Sequence, residues 1–178
     1  MTSKLFQQKS LDTKYSARCV ASFPINLASE KIDLYKWVTE MTDADYGSYS
    51  KAHLAMGSFF KDGKFCMMNV ENIGNETLVQ HYELEFHAPN HIQFYSSRTK
   101  AYVMRWFPAK VGVPWEMQII ATSATTSEFT CIIGADFPTL FLKVAAWLNG
   151  FGGTFLHRHL LEEGKAFAND IEKKFATI

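Results

Sequence analysis

The sequence has no surplus of charge of either sign. Lys+Arg and Asp+Glu are 18 each in 178 residues, and the pI is near 7. No basic run or stripe is present, and a phosphate backbone is bound through clustered Lys and Arg, so no nucleic-acid partner is expected. Nothing in the charge pattern favours an anionic membrane surface either. Cysteine is scarce: Cys19, Cys66 and Cys131 are far apart, odd in number and free of CxxC or Cys/His ligand spacing. Reduced, buried thiols in a cytoplasmic protein are the expectation. Long apolar runs are missing too. The most hydrophobic window, residues 140–156, contains Lys143, Asn149 and three glycines, so no integral membrane association is expected. The opening MTSKLFQQKSLDTKYS has neither the apolar core nor the small-residue cleavage site of a secretory signal. No GxSxG occurs and no cysteine has an identifiable base partner, which removes the common nucleophile templates. The glycines of GFGG at 150–153 lie inside a helical stretch rather than between a strand and a helix, so they form no phosphate cradle. No cofactor is expected.

What the chain does contain is apolar bulk. Hydrophobic residues make up 47% and aromatics 15%, with fifteen Phe and seven Met. That places it among globular proteins and suits either a Phe-rich core or the wall of an apolar pocket. The length fits one domain over residues 15–178, preceded by a polar, aperiodic lead-in over residues 1–14.

Residues 15–26 alternate as a first strand ended by Pro24, and Asn26 or Ser29 can cap a short helix running to about Thr39. The turn-rich TDADYGSYSKAH has room for a second helical piece. Strands follow. Asp62-Gly63 between apolar runs is a hairpin signal, residues 65–71 and 76–86 pair across Asn72-Ile73-Gly74-Asn75, and residues 91–107 form one bent strand or two. Residues 108–114, bounded by prolines, read as a loop before a last hairpin of 116–122 and 128–134. The end of the chain, residues 135–175, reads as one long helix with a glycine-weakened middle. Its apolar stripe runs through Leu140, Val144, Trp147, Leu148 and Phe151, then Leu156, Leu160, Gly164, Phe167, Ile171 and Phe175. Sequential hairpins imply an antiparallel sheet, and a long helix lying on it gives an α+β fold.

This layout resembles the START-like, helix-grip superfamily, also called SRPBCC, with its birch-pollen-allergen-type and polyketide cyclase/dehydrase-like members. SFPINLASEKIDLYKWV resembles the first strand, proline turn and first helix; KDGKF and NIGNETLVQHYELEF resemble the central hairpins; HRHLLEEGKAFANDIEKKF resembles the terminal helix. The resemblance implies a curved antiparallel sheet around the C-terminal helix, with a cavity between them. It implies an apolar or aromatic small-molecule ligand, such as a lipid or polyketide. The alternative it carries is a cyclase/dehydratase-like enzyme, and a third option is a co-chaperone or oligomeric interaction module, a homo-oligomer included, whose binding surface lies outside the cavity.

Because the concave face of such a sheet is both core and pocket wall, the ligand-binding candidates are Tyr102, Met104, Trp106, Trp115, Met117, Phe129, Trp147, Phe151 and Phe155. Three titratable residues are the acid/base candidates: His81 and Glu83, which alternate with Glu85 and His87 along one strand face, and Arg98. A buried carboxylate there would have its pKa pushed toward neutrality, but burying unpaired glutamates is costly and a solvated face is favoured. Arg98 shares the parity of Tyr102 only if no bulge intervenes, and could then anchor a carboxylate or phenolate. His157, His159, Glu162 and Glu163 are the densest polar cluster. Helical spacing pairs His159 with Glu163, and a metal would need a further ligand from the sheet, which His81, Glu83, Glu85 and His87 could supply; no HExxH spacing occurs, and no metal is expected.

Overall fold

A computed structural model describes residues 15–103, 105–148 and 153–176. Seven strands form one antiparallel sheet: β1 (Ser16–Ile25), β2 (His53–Lys61), β3 (Lys64–Ile73), β4 (Glu76–Ala88), β5 (His91–Val103), β6 (Phe107–Ala121) and β7 (Ser127–Asp136). Their order across the sheet is β1-β7-β6-β5-β4-β3-β2. β2 to β7 are thus a meander, and β1 closes it beside the last strand. Between β1 and β2 lie a 3-10 turn (Ser29–Lys31), α1 (Leu34–Thr39) and α2 (Asp43–Tyr49); α3 (Leu140–Leu148) and α4 (Thr154–Ala176) follow the sheet.

Local chemistry accounts for the breaks. Asp33 rather than Asn26 or Ser29 caps α1, its carboxylate accepting from Lys36 N at 2.9 Å. Thr42 and Asp45 form a reciprocal capping box on α2. Asp62 and Gly63 both have positive φ (52° and 75°), which is what a two-residue hairpin turn between Lys61 and Lys64 requires.

Three expectations are corrected. Residues 108–114 belong to β6 instead of a loop. Pro108 pairs with Tyr102 and Pro114 with Tyr95 of β5, while the ladder to β7 runs Gly112↔Asp136 and then Trp115↔Ile133. Pro108 therefore lies beyond the end of β7, and Pro114 falls in the gap between those two pairs, where no pairing with β7 is made. The second correction concerns residues 135–175, which are not one helix. Ala135 and Asp136 end β7, and α3 and α4 are separate helices. The third is which way α3 faces. Leu140, Val144, Trp147 and Leu148 are exposed. Leu142, Ala145 and Ala146 are half-buried over Ala101, Val103, Ala109, Val111 and Phe137. Eight of the nine residues in LFLKVAAWL are apolar, so periodicity could not select a face; the small side chains permit the closest approach to the sheet. Phe151 and the glycines at 150 and 152 lie outside the described residues.

The α4 stripe is as the spacing implies. Leu156, Leu160, Gly164, Phe167, Ile171 and Phe175 are all buried, and His159 and Glu163 are buried with them. Phe167 packs on Trp37, Tyr49, Trp115 and Phe129, with ring centroids 5.0–6.4 Å apart. Gly164 lies flat on Phe23 of β1, where a Cβ would stand 2.4 Å from the ring. Asp170 ties the helix to α1 and α2 by accepting from Trp37 Nε1 and Tyr49 OH, each at 2.8 Å. Each buried Leu, Ile or Phe on this stripe contributes about 1.5–3 kcal/mol relative to exposure.

Candidate functional site: a polar cluster buried under the C-terminal helix

Between the concave face and the first half of α4 lies a cavity of about 20 Å³, measured as room for the centre of a water molecule. That holds one or two waters or an ion. Its apolar wall is Ile73, Leu78, Tyr82, Trp115 and Leu156; its polar wall is Tyr46, Asn69, Glu71, Gln80, His159 and Glu163.

The polar wall is assembled from four elements. In β3, Met67, Asn69, Glu71 and Ile73 share the inward face, and in β4 Leu78, Gln80, Tyr82 and Leu84 do. His53 begins β2, stacked flat on Tyr46 of α2 with centroids 3.9 Å apart and planes 4° apart. Its Nδ1 lies 2.7 Å from the Tyr46 carbonyl oxygen; a carbonyl only accepts, so Nδ1 carries the proton and Nε2 turns to the cluster. There His53 Nε2 is 3.2 Å from Glu163 Oε2, and His159 Nε2 is 3.3 Å from the same oxygen and 3.7 Å from Glu71 Oε2. Tyr46 OH donates to Glu71 Oε1 in a short hydrogen bond, and Gln80 Nε2 donates to Oε2 at 3.3 Å. Asn69 Oδ1, Gln80 Oε1 and both ring nitrogens of His159 are buried without a hydrogen-bond partner of proper geometry. Buried polar atoms in native proteins are nearly always satisfied, so a group of orphans around one cavity marks a place where something else binds.

Burial sets strong electrostatic terms here. Desolvation by itself would lower His159, yet the Glu163, Glu71 and Glu162 carboxylates hold its pKa above the usual imidazole value. His53 is raised in the same way: burial opposes, and Glu163, Glu71 and the Tyr46 carbonyl prevail. Desolvation would raise Glu163, but the two imidazoles bring it below the ordinary carboxylate range. Tyr46 is pushed well up by burial and by the charge on Glu71. The cluster contains groups able to give and take protons as well as metal-type donors, with ligand atoms of His53, Glu71 and His159 all within 4.8 Å of one another.

Of the aromatic candidates, Trp115 lines the cavity, and Met117 and Phe129 are completely buried in the core beside it. Tyr102 does not face inward: Thr99 and Ala101 are buried and Tyr102 is half-exposed, because a bulge between Ser96 and Thr99 shifts the parity of β5. The same bulge leaves Arg98 exposed. Trp106 at the β5–β6 turn is 82% exposed and Trp147 69% exposed, so neither walls the cavity. Phe155 packs on the β3–β4 turn, where a Cβ on Gly74 would stand 2.6 Å from its ring. Met104 and Phe151 lie outside the described residues. His81, Glu83, Glu85 and His87 form the exposed face of β4, with Glu83 and Glu85 paired to Lys64; the solvated-face reading describes them. His157 and Glu162 are exposed.

Tyr46, His53, Asn69, Glu71 and Gln80 were not singled out from the sequence. A signal existed for three of them: Asn69, Glu71 and Gln80 sit at inward parity between apolar neighbours, polar residues on an otherwise apolar strand face.

No protein-family model matches the sequence, and no curated protein does. Solved structures do resemble it in shape. A START superfamily protein from Mycobacterium smegmatis superposes over 89% of this chain and 99% of its own at TM-score 0.53 and 12% identity. The Zhui aromatase/cyclase from Streptomyces sp. R1128 covers 91% and 94% at TM-score 0.56 and 7% identity, and the ginseng major latex-like protein 151 from Panax ginseng 88% and 98% at 0.53 and 9%. No described helix is long and apolar enough to cross a membrane. With its seven-stranded antiparallel sheet and long C-terminal helix, the chain has the helix-grip fold of the START-like (SRPBCC) proteins.

Proposed function

We propose that the chain binds a small molecule of largely apolar or aromatic body, one polar group of which enters the cavity under α4. The observation that carries this is the set of orphaned polar atoms on Asn69, Gln80 and His159 facing the same space as Tyr82, Trp115 and Leu156. A hydroxyl or phenol can donate to the amide oxygens and accept from the imidazole at once, while its ring lies against the aromatic wall. Drug-sized ligands occupy a few hundred Å³, so admitting one requires the first turns of α4, which present Leu156, to lift from the β3–β4 turn. The latch there is Phe155 on Gly74. The START-like and aromatase/cyclase neighbours are consistent with either a binding protein or an enzyme. We place the protein in the cytoplasm, in keeping with its three unpaired cysteines.

The test is native mass spectrometry of the purified chain for a co-purifying apolar molecule, together with equilibrium binding of 2-naphthol. Gln80→Leu is expected to weaken 2-naphthol at least tenfold, and Trp147→Ala to leave it unchanged. Equal affinity in both variants overturns the assignment of the pocket.

A second reading, a cyclase/dehydratase-like enzyme, is favoured by the convergence of Tyr46, Glu71, His159 and Glu163 on that cavity, with His53 3.2 Å from Glu163. An imidazole–carboxylate pair held in a dry site suits proton transfer next to a carbonyl. Enzyme-dependent deuterium exchange at the α-carbon of 1-tetralone, lost in Glu163→Gln, is the expected outcome; exchange no faster than in buffer counts against it.

A further inference from the structure

We propose that His53, Glu71 and His159, whose ligand atoms all lie within 4.8 Å of one another, form a binding site for one divalent first-row transition ion. This goes beyond the small-molecule reading and does not depend on it. Two nitrogen donors and one carboxylate are a set typical of such ions, whereas calcium and magnesium favour all-oxygen shells.

The spacing fits. Two donors each about 2.1 Å from a tetrahedral ion stand about 3.4 Å apart. His159 Nε2 stands 3.7 Å from Glu71 Oε2, and the ligand atoms of His53, Glu71 and His159 lie within 4.8 Å of one another; Glu163 Oε2 stands beside them, 3.2 Å from His53 Nε2 and 3.3 Å from His159 Nε2. His159 Nε2 has no hydrogen bond of proper geometry beyond its 3.3 Å ion-pair approach to Glu163 Oε2, and Nδ1 has no partner, although the side chain is 5% exposed and points into the cluster. The outer shell fits as well. A ligating histidine normally donates its other ring N–H to a carbonyl or carboxylate, and His53 Nδ1 does this to the Tyr46 carbonyl oxygen at 2.7 Å. Tyr46 OH holds Glu71 Oε1, which orients Oε2 inward. Charge also balances: once the ion displaces the protons of both imidazoles, Glu71 and the adjoining Glu163 carry −2, the complement of a divalent ion in a buried site. The adjoining cavity has room for a water at an open coordination position. The further ligand that a metal needs from the sheet does not come from the β4 face of His81 to His87, which is exposed. Glu71 and His53 supply what that strand does not.

The test uses the full chain, stripped with chelator and titrated with Co²⁺ alone, following visible d–d absorption, with elemental analysis of the protein as isolated. One equivalent of Co²⁺ per chain is expected, displaceable by Zn²⁺ and not by Mg²⁺. Glu71→Gln and His159→Gln should each weaken Co²⁺ at least tenfold, and the exposed His157→Gln should not. Should either core variant fail to fold by circular dichroism, Tyr46→Phe serves instead: it keeps the ring stacked on His53, removes only the hydroxyl behind Glu71, and should weaken Co²⁺ about 10–100-fold. Absence of stoichiometric Co²⁺ uptake by the wild-type chain overturns the proposal, and so does uptake undiminished in the folded variants. Because no organic ligand is present, failure here is separate from failure of 2-naphthol to bind.

Discussion

Phe167→Ala and Trp147→Ala form a matched pair of large-to-small changes on the two C-terminal helices, and the structure assigns them very different costs. Phe167 is 0% exposed and meets four other aromatic rings, those of Trp37, Tyr49, Trp115 and Phe129. Truncation removes its transfer free energy and leaves a cavity that Trp115 and Phe129, fixed in neighbouring strands, cannot collapse to fill; the cost is about 3–5 kcal/mol. Trp147 is 69% exposed, and its removal should stay within about 0.5 kcal/mol. In urea, with an m-value of about 2 kcal/mol/M, the first change moves the unfolding midpoint down by about 1.5–2.5 M and the second by no more than about 0.25 M. Equilibrium unfolding followed by circular dichroism reads both. Similar shifts in the two variants would show that α3 docks on the protein through the face placed in solvent here, and the arrangement of the C-terminal helices would have to be redrawn.

Gly74→Ala meets two obstacles, a φ of +62° and Phe155 where its Cβ must go; it should lower stability by at least about 1 kcal/mol, with Phe155→Ala, Gly74→Ala recovering part of the loss in a double-mutant cycle. Glu163→Ala leaves two imidazoles without their shared carboxylate and should cost about 3–5 kcal/mol, measured by the same urea titration. Thr42→Ala removes the side chain that accepts from Asp45 N at 3.1 Å and should cost about 1 kcal/mol. Burial raises the thiols of Cys19, Cys66 and, most of all, Cys131, so a disulfide reagent at pH 8 should label Cys131 only on unfolding; rapid labelling of the native chain would contradict its placement in the core.

Where the sequence succeeded, the cause is local. Alternation between turn residues located all six strands of the meander, and Asp62-Gly63 specified its hairpin, because strand period and turn geometry are properties of a few consecutive residues. The α4 stripe was legible because Leu156, Leu160, Phe167 and Ile171 are separated by polar residues. In α3 nearly every residue is apolar, and the periodicity that named Trp147 had no polar face to define it. The β5 bulge defeated parity counting from Tyr102 and Arg98, since a single extra residue reverses every side chain after it.

The sequence by itself determined the α+β class, the order of elements and the solvent-facing charges of β4, each decided by short-range pattern and the cost of burying charge. Only the tertiary structure decided the site. His53, Glu71 and His159 are far apart in the chain and lie on β2, β3 and α4. None has either of the others in its own segment, and they become chemistry only where the sheet curls and α4 closes over it. Contacts across such separations are set by packing of whole elements, which no local period records.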